Sequence, residues 1–263
     1  MEQVLRFKFS MKQKYKTNAI NLKTYDFGES DRIVMMYSQD KGLIKCMAKG
    51  SKKPNGKLGG RMDMFVANDL LLAKGKSMDT VSQAETLNSF FKIRLNPDKM
   101  FYSMYCVETV KNFGEENDAE SESIYKLLYD VLEKISVSKT QVEIILATMR
   151  FQLKMLKISG YSPDFDICNV CGKEIGADYS KFSCENGGLV CLEHSLNGEK
   201  SERIHPKIKD FLKTLQNTDF NIITDYDKLA DVNVSETCFD LLKTYVEYCS
   251  PKKFNTTKVL TAI

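Results

Sequence analysis

The chain has no tryptophan and only two histidines in 263 residues. So few imidazoles leave none available for a nucleophilic triad. Neither a phosphate-binding glycine loop nor a nucleophile-elbow motif occurs. No apolar run approaches the roughly 20 residues needed to span a bilayer. The opening stretch, MEQVLRFKFSMKQK, is too charged for a signal-peptide core, so a cytoplasmic protein is expected. Internal repeats and low-complexity tracts are also missing. What remains is long enough for two domains, or one large one, with an adequate core.

The net charge of +3 hides an asymmetry. Residues 1–100 hold 19 Lys and Arg against 10 Asp and Glu, whereas the other 163 hold 19 against 25. Within 41–62 (KGLIKCMAKGSKKPNGKLGGRM) there are seven basic residues and no acidic one. Such a front fits a polyanion partner, most commonly nucleic acid; a merely solvated lysine-rich loop is the plain alternative.

From 15 to 85 short alternating runs are separated by turn signals. AINLKTY is followed by the turn DFGESD, RIVMMYS by the break QDKG, and LIKCMAK by the glycine-rich loop GSKKPNGKLGG. DMFVANDLLLA and MDTVSQAE complete about five strands, which predicts a small closed barrel of the oligonucleotide-binding (OB) type. An SH3-like barrel would give a similar pattern. The fold class expected is α+β: an OB-fold barrel over 14–85 after an extension at 1–13, then a helical domain over 86–263.

After Glu85 the period changes to about 3.6. Asn96 and Pro97 read as an N-cap and first helical residue. Helices are expected over DKMFYSMYCVETVKNF, SESIYKLLYDVLEKI and KTQVEIILATMRFQLKMLKIS, the last with Ser138 and Gln141 as a capping box. This third helix is apolar apart from a stripe of Glu143, Ala147, Arg150, Lys154 and Lys157, the pattern of a bundle's buried spine. Gly160 and Pro163 end it. Further helices are expected near 206–216, which His205 enters, and 235–249.

Four of the eight cysteines crowd into CNVCGKEIGADYSKFSCENGGLVCLEH, residues 168–194. CNVC is a Cys-x2-Cys knuckle and CLEH a Cys-x2-His knuckle, the spacing of a zinc ribbon at about 166–196. Cys168, Cys171, Cys191 and His194 are therefore the expected ligands of one structural Zn2+ per chain. Cys184 is the spare; a competing arrangement uses Cys184 and frees His194. Cys46, Cys106, Cys238 and Cys249 read as buried thiols. The carboxylates of DFGESD, Asp26, Glu29 and Asp31, read more simply as a strand-joining turn than as a metal-dependent nuclease centre.

YDFGESDRIVMMYSQDKGLIKCMAKGSKK, LGGRMDMFVANDLLL and MDTVSQAETLNSFFKIR together resemble the RecO family of bacterial recombination mediators. The resemblance covers about 14 to 250, including a ribbon placed after GYSPDFDICNVCG. It implies an N-terminal OB fold, a helical C-terminal domain and no enzymatic turnover. It further implies binding to single- and double-stranded DNA, annealing of complementary strands, partnership with RecR, displacement of single-strand-binding protein (SSB) and, indirectly, loading of RecA. A cytoplasmic, nucleoid-associated protein follows. Two departures stand out. Cys191 and His194 replace the second Cys-x2-Cys usual in zinc-bearing relatives. MEQVLRFKFSMK also precedes the usual start of the barrel, as a basic arm or with Met11 as the real start.

The residues suit that role. Phosphate contacts need clustered cations, and Arg32, Lys45, Lys49, Lys52, Lys53, Lys57 and Arg61 are the predicted DNA-binding set. Aromatics that would stack bases are few: Tyr25, Phe27, Tyr37 and Phe65, each equally a core residue. Arg150, Lys154 and Lys157 are nominated as the basic rim of an apolar groove for the acidic C-terminal tail of SSB. Two other readings are a zinc-dependent enzyme acting on nucleic acid and an adaptor whose basic loop binds acidic protein tails without DNA.

Overall fold

The computed structural model describes residues 13–176, 180–194, 201–220 and 232–256. Residues 1–12, nearly all of the expected extension, lie outside the described residues. Five strands, β1 (Lys14–Phe27), β2 (Asp31–Ser38), β3 (Gly42–Ala48), β4 (Ala67–Ala73) and β5 (Asp79–Asn88), close into a barrel in the order β1-β2-β3-β5-β4. The long β1 pairs with both β2 and β4, and a short parallel contact (Cys46↔Asp79, Met47↔Thr80) closes the circle. This is an OB-like barrel.

Alternation along the strands divides two cores. Ala19, Val34, Met36, Cys46, Ala48, Leu70, Leu72 and Val81 fill the barrel, with Leu58 and Met62 of the β3–β4 connection packed among them. The intervening Ile20, Leu22, Tyr37 and Ala67 point outward but are also buried, because the helical domain packs on that side. Strands with both faces covered read as near-continuous apolar runs, as AINL does.

Among the described residues the α-helices are α1 (Pro97–Phe113), α2 (Ser121–Val137), α3 (Gln141–Ile158), α4 (Pro206–Gln216) and α5 (Val232–Cys249). Asn96 caps α1, its side chain accepting from the Lys99 amide at 2.9 Å. The expected Ser138–Gln141 capping box is corrected. Thr140 is the N-cap of α3 and accepts from the Glu143 amide at 3.2 Å, while Glu143 accepts from the Lys139 amide at 2.6 Å. Ser138 instead ends α2, donating both its amide and its hydroxyl to Lys134 O.

The barrel is keyed to the bundle at the β2–β3 turn. The Asn117 amide donates to Lys41 O at 2.7 Å, the Leu43 amide to Glu115 O at 2.9 Å, and Tyr37 Oη to Asp118 Oδ2 at 2.9 Å. Gly42 is required here: its φ is +65°, and a Cβ would stand 2.2 Å from Glu115 O.

Glu108, buried on α1, holds the segment after α5 in place. Its carboxylate accepts from the Thr256 amide at 2.7 Å, the Asn255 amide at 3.1 Å, Lys111 Nζ at 3.0 Å and the Thr256 hydroxyl. Burial opposes its ionisation, yet the donors led by Thr256 outweigh burial and hold the carboxyl down at about 2. With the folded value below the unfolded 4.5, this stabilisation is complete above about pH 4.5 and is lost as pH falls through about 2. Glu108→Gln should lower unfolding free energy by roughly 2 kcal/mol at neutral pH, with the deficit shrinking below about pH 4. Urea titrations of both proteins across that range check it; a deficit independent of pH would show that the carboxylate's charge is not what matters.

Candidate nucleic-acid interface and metal centre

The β3–β4 connection, which carries most of the acid-free run, is fixed to the barrel despite lacking regular structure. At the bulge in β1, Asn21 Nδ2 donates to both Arg61 O and Asp63 O at 2.8 Å. Thr24 Oγ1 donates to Met62 O at 2.7 Å, and Asn68 Nδ2 to Arg61 O at 2.9 Å. Basic side chains on this loop are therefore displayed from a defined backbone at one end of the barrel.

The seven predicted cations do not form one cluster. Lys49, Lys53, Lys57 and Arg61 are exposed on or beside the loop. Lys52 is engaged internally, with Nζ 3.1 Å from Asp26 Oδ2, and Arg32 pairs with Asp63 at 3.1 Å. Lys45 points outward from β3 and lines a different groove, with Lys41, Lys74 and Lys76. One cation outside the predicted set joins the loop: Lys16 shares with Lys57 and Arg61 a groove of about 570 Å³ across β1, β4 and β5. It lies outside the acid-free run, and only its outward register on β1, opposite Leu71, would have shown it.

The four candidate stacking aromatics separate cleanly. Tyr37 and Phe65 are buried, whereas Tyr25 and Phe27 are 40% and 51% exposed on the β1–β2 hairpin beside the loop. Lys23 Nζ lies 5.0 Å from the Tyr25 ring centroid. The acids of DFGESD organise this turn. The Gly50 amide, then the Ser30 hydroxyl, donate to Asp31 and, with Lys49 and Lys53 nearby, hold its carboxyl below the usual range. Among the described residues, those acids form no group able to hold a metal.

The metal centre is built by two turns brought face to face. The first knuckle closes through the Gly172 amide on Cys168 O at 2.8 Å and the Cys168 amide on Lys173 O at 2.9 Å. Strands β6 (Ser180–Ser183), β7 (Gly188–Cys191) and β8 (Ser201–Ile204) form a sheet in the order β7-β6-β8, and the second knuckle leaves the end of β7. The Asn169 amide donates to Leu189 O at 2.8 Å, docking one knuckle on the other. Gly188 permits that approach: a Cβ there would stand 2.9 Å from Asn169 Nδ2 and 3.0 Å from Asp164 O.

Cys168, Cys171, Cys191 and His194 consequently place one ligand atom each within 4.8 Å of one another. Cys191 Sγ and His194 Nδ1 are 2.9 Å apart. Ligand bonds of about 2.0–2.3 Å in a tetrahedron require ligand atoms separated by under 4 Å, so this set can close on a metal with little movement. Burial works against ionisation of Cys168, but the amides of Cys191, Cys171 and Val170 outweigh it and bring the thiol down to about 6. Burial and the neighbouring Cys168 push Cys191 up. A shared cation would resolve that competition by holding both sulfurs as thiolates. Cys184 lies outside this group, near Tyr245 and Cys249 of α5. Cys46, Cys106 and Cys238 are buried and Cys249 is partly so.

Between α2 and α3 runs a groove of about 830 Å³ with Leu127, Val137, Ile158 and Phe220 among its lining. The nominated basic rim needs correction. Arg150 is only 3% exposed, its Nε donating to Thr218 Oγ1 at 3.3 Å, and it does not line the groove. Lys154 does, but its Nζ is held 2.6 Å from Asp219. Lys157 is exposed at the edge, and Lys134 of α2, which is not in the nominated set, joins it; neither forms an ion pair with a described residue. Periodicity within α3 alone could not find Lys134, since the rim is shared between two helices.

Two family models match the chain. The one described as recombination protein O N terminal covers residues 11–90, and the one described as recombination protein O C terminal covers 94–257. A DNA repair protein RecO from Desulforamulus reducens is 32% identical over 250 residues, covering 94% of this chain and 93% of that protein. Another from Nostoc punctiforme is 35% identical over 191 residues, covering 70% of this chain and 63% of that protein. A third, from Dehalococcoides mccartyi strain ATCC BAA-2266, is 35% identical over 177 residues, with 67% and 68% covered.

Proposed function

This chain belongs to the recombination protein O family, and on that premise we propose that it is a recombination mediator that binds DNA and anneals complementary strands. Family membership carries a role in DNA repair and recombination. The finer reading rests on one observation above all: an OB-like barrel displays exposed Lys49, Lys53, Lys57 and Arg61 from a pinned loop, beside two exposed aromatics. Such a surface holds phosphates through charge and leaves most base edges free, which is what pairing with a second strand requires. It acts without turnover, in the cytoplasm at the nucleoid. RecR is its partner, and RecA is loaded indirectly through that assembly. No helix among the described residues is long and apolar enough to cross a membrane.

In this reading the α2–α3 groove receives the acidic C-terminal tail of SSB. Apolar residues at the tail's end would enter among Leu127, Ile158 and Phe220, and its carboxylates would meet Lys134 and Lys157. The four-ligand centre binds one structural zinc, which ties the two knuckles together.

A single experiment tests the scheme. The purified protein should anneal complementary strands whether naked or coated with SSB. Lys134→Glu combined with Lys157→Glu should anneal naked strands normally but lose about tenfold on coated ones. Failure of the wild type to anneal naked strands would sink the mediator reading. Equal rates for the variant on both substrates would remove the groove as the tail site.

A further inference from the structure

The end of the barrel away from the β3–β4 loop carries a second basic concavity that the loop-based reading does not use. Along β3 and its turn, Lys41 precedes Lys49 of the loop by eight residues and Lys45 precedes it by four, roughly 26 Å and 13 Å at about 3.3 Å per residue. The groove, about 400 Å³, is lined by Lys41 of the β2–β3 turn, Lys45 of β3, and Lys74 and Lys76 of the β4–β5 turn. None of the four pairs with a carboxylate among the described residues. Its two acids do not cancel them. Asp79 accepts from Tyr15 Oη at 2.5 Å and from the Gly75 amide at 3.0 Å, and with Glu116 it sets two acids against four cations, a formal balance of +2.

The groove is also built rigidly. Lys41 is held through the Asn117 amide on its carbonyl, and its ammonium lies 4.8 Å from the Tyr15 ring centroid. The same contacts that key the barrel to the helical bundle therefore set one wall. The Tyr15 ring is covered by Lys41 and its hydroxyl is spent on Asp79, so it is not presented as a stacking platform for a base. Point cations without a stacking ring bind backbone phosphates and leave bases free.

We propose that this groove holds the phosphate backbone of a second DNA strand while the loop end holds the first, so that one chain presents two strands to each other. The proposal rests on the DNA-binding reading above and extends it from one strand to two. The separation suits the task. Phosphate contacts roughly 13 Å or more apart lie beyond the screening length of about 8 Å at physiological salt, so mutual repulsion between the loaded sites is weakened.

The test uses the full chain carrying Lys41→Glu, Lys74→Glu and Lys76→Glu. All three are at the surface, and the corresponding triple glutamine variant shows whether charge removal alone suffices. Protein saturated with one labelled oligonucleotide is offered a second, non-complementary one with a different label, and annealing of complementary strands is timed separately. The variants should bind the first strand within about twofold of wild type, fail to capture the second, and anneal about tenfold more slowly. Capture of both strands by the glutamate variant would overturn the proposal. So would a matching fall in first-strand affinity, which would make the groove part of a single continuous track. If the wild type bound no oligonucleotide, the DNA-binding reading would fall instead, and this extension with it.

Discussion

Cys168→Ser and His194→Ala should each lose bound zinc together with the ordered packing of residues 164–176 and 180–194, whereas Cys184→Ser should lose neither. The expectation follows from geometry. Cys168, Cys171, Cys191 and His194 bring ligand atoms within 4.8 Å of one another, and Cys184 is outside that set, near Tyr245 and Cys249. The sheet behind the site is small, β6, β7 and β8 contributing four residues each, so a bound metal would add substantially to what holds the two knuckles together. Metal affinity is thus coupled to local folding, and structural zinc in small sites is worth on the order of 10 kcal/mol. Removing one of four ligands should lower zinc content at equilibrium with a chelator by well over tenfold. Hydrogen exchange at the Asn169 amide, bonded to Leu189 O across the two knuckles, should accelerate in step. The barrel's exchange should not change. Full zinc in His194→Ala with loss in Cys184→Ser would mean that the histidine, not that cysteine, is the spare.

Much of this site was legible because its determinants are local. Two knuckles with two intervening residues each, and a glycine pair before the second, are properties of the chain itself. The same holds for Asn96-Pro97 and for the alternation that separates Ala19 from Ile20 and Leu22. The errors arose where a partner from elsewhere in the chain decides. Both Ser138-x-x-Gln141 and Thr140-x-x-Glu143 carry plausible caps. Ser138 is taken by the end of α2, donating to Lys134 O, so α3 starts from Thr140. Periodicity placed Ala147 and Arg150 on a polar face, but both are buried, and Arg150 is satisfied by Thr218 near the end of α4. Likewise the acid-free run is continuous in sequence but not in space. It begins in the β2–β3 turn at one end of the barrel and continues into the loop at the other, which parts Lys41 and Lys45 from Lys53 and Lys57.

That division decides which residues should dominate binding of the first strand. Reversing Lys49, Lys53 and Lys57 to glutamate should weaken binding of every oligonucleotide sequence alike, by roughly 10- to 100-fold near physiological salt. These three are exposed, and none forms an ion pair with a described residue, so each is available to a phosphate. Lys52 is a poorer choice despite its place in the run. Its ammonium bridges Asp26 and Gly28 O, and a glutamate there would face Asp26 and disturb the β1–β2 hairpin that carries Tyr25 and Phe27. Each single-strand phosphate that the protein ceases to neutralise lowers the slope of log affinity against log salt by about 0.7, so three such phosphates should reduce it by about 2. A uniform loss with a shallower slope marks phosphate contacts. A loss confined to certain sequences would instead mark base reading, for which this loop offers no aromatic platform of its own. Unchanged affinity and slope would remove the loop as the binding surface. A salt slope that fell with the loop variant while second-strand capture persisted would separate the two ends of the barrel functionally, because the cations at each end are displayed by different turns of the same five strands.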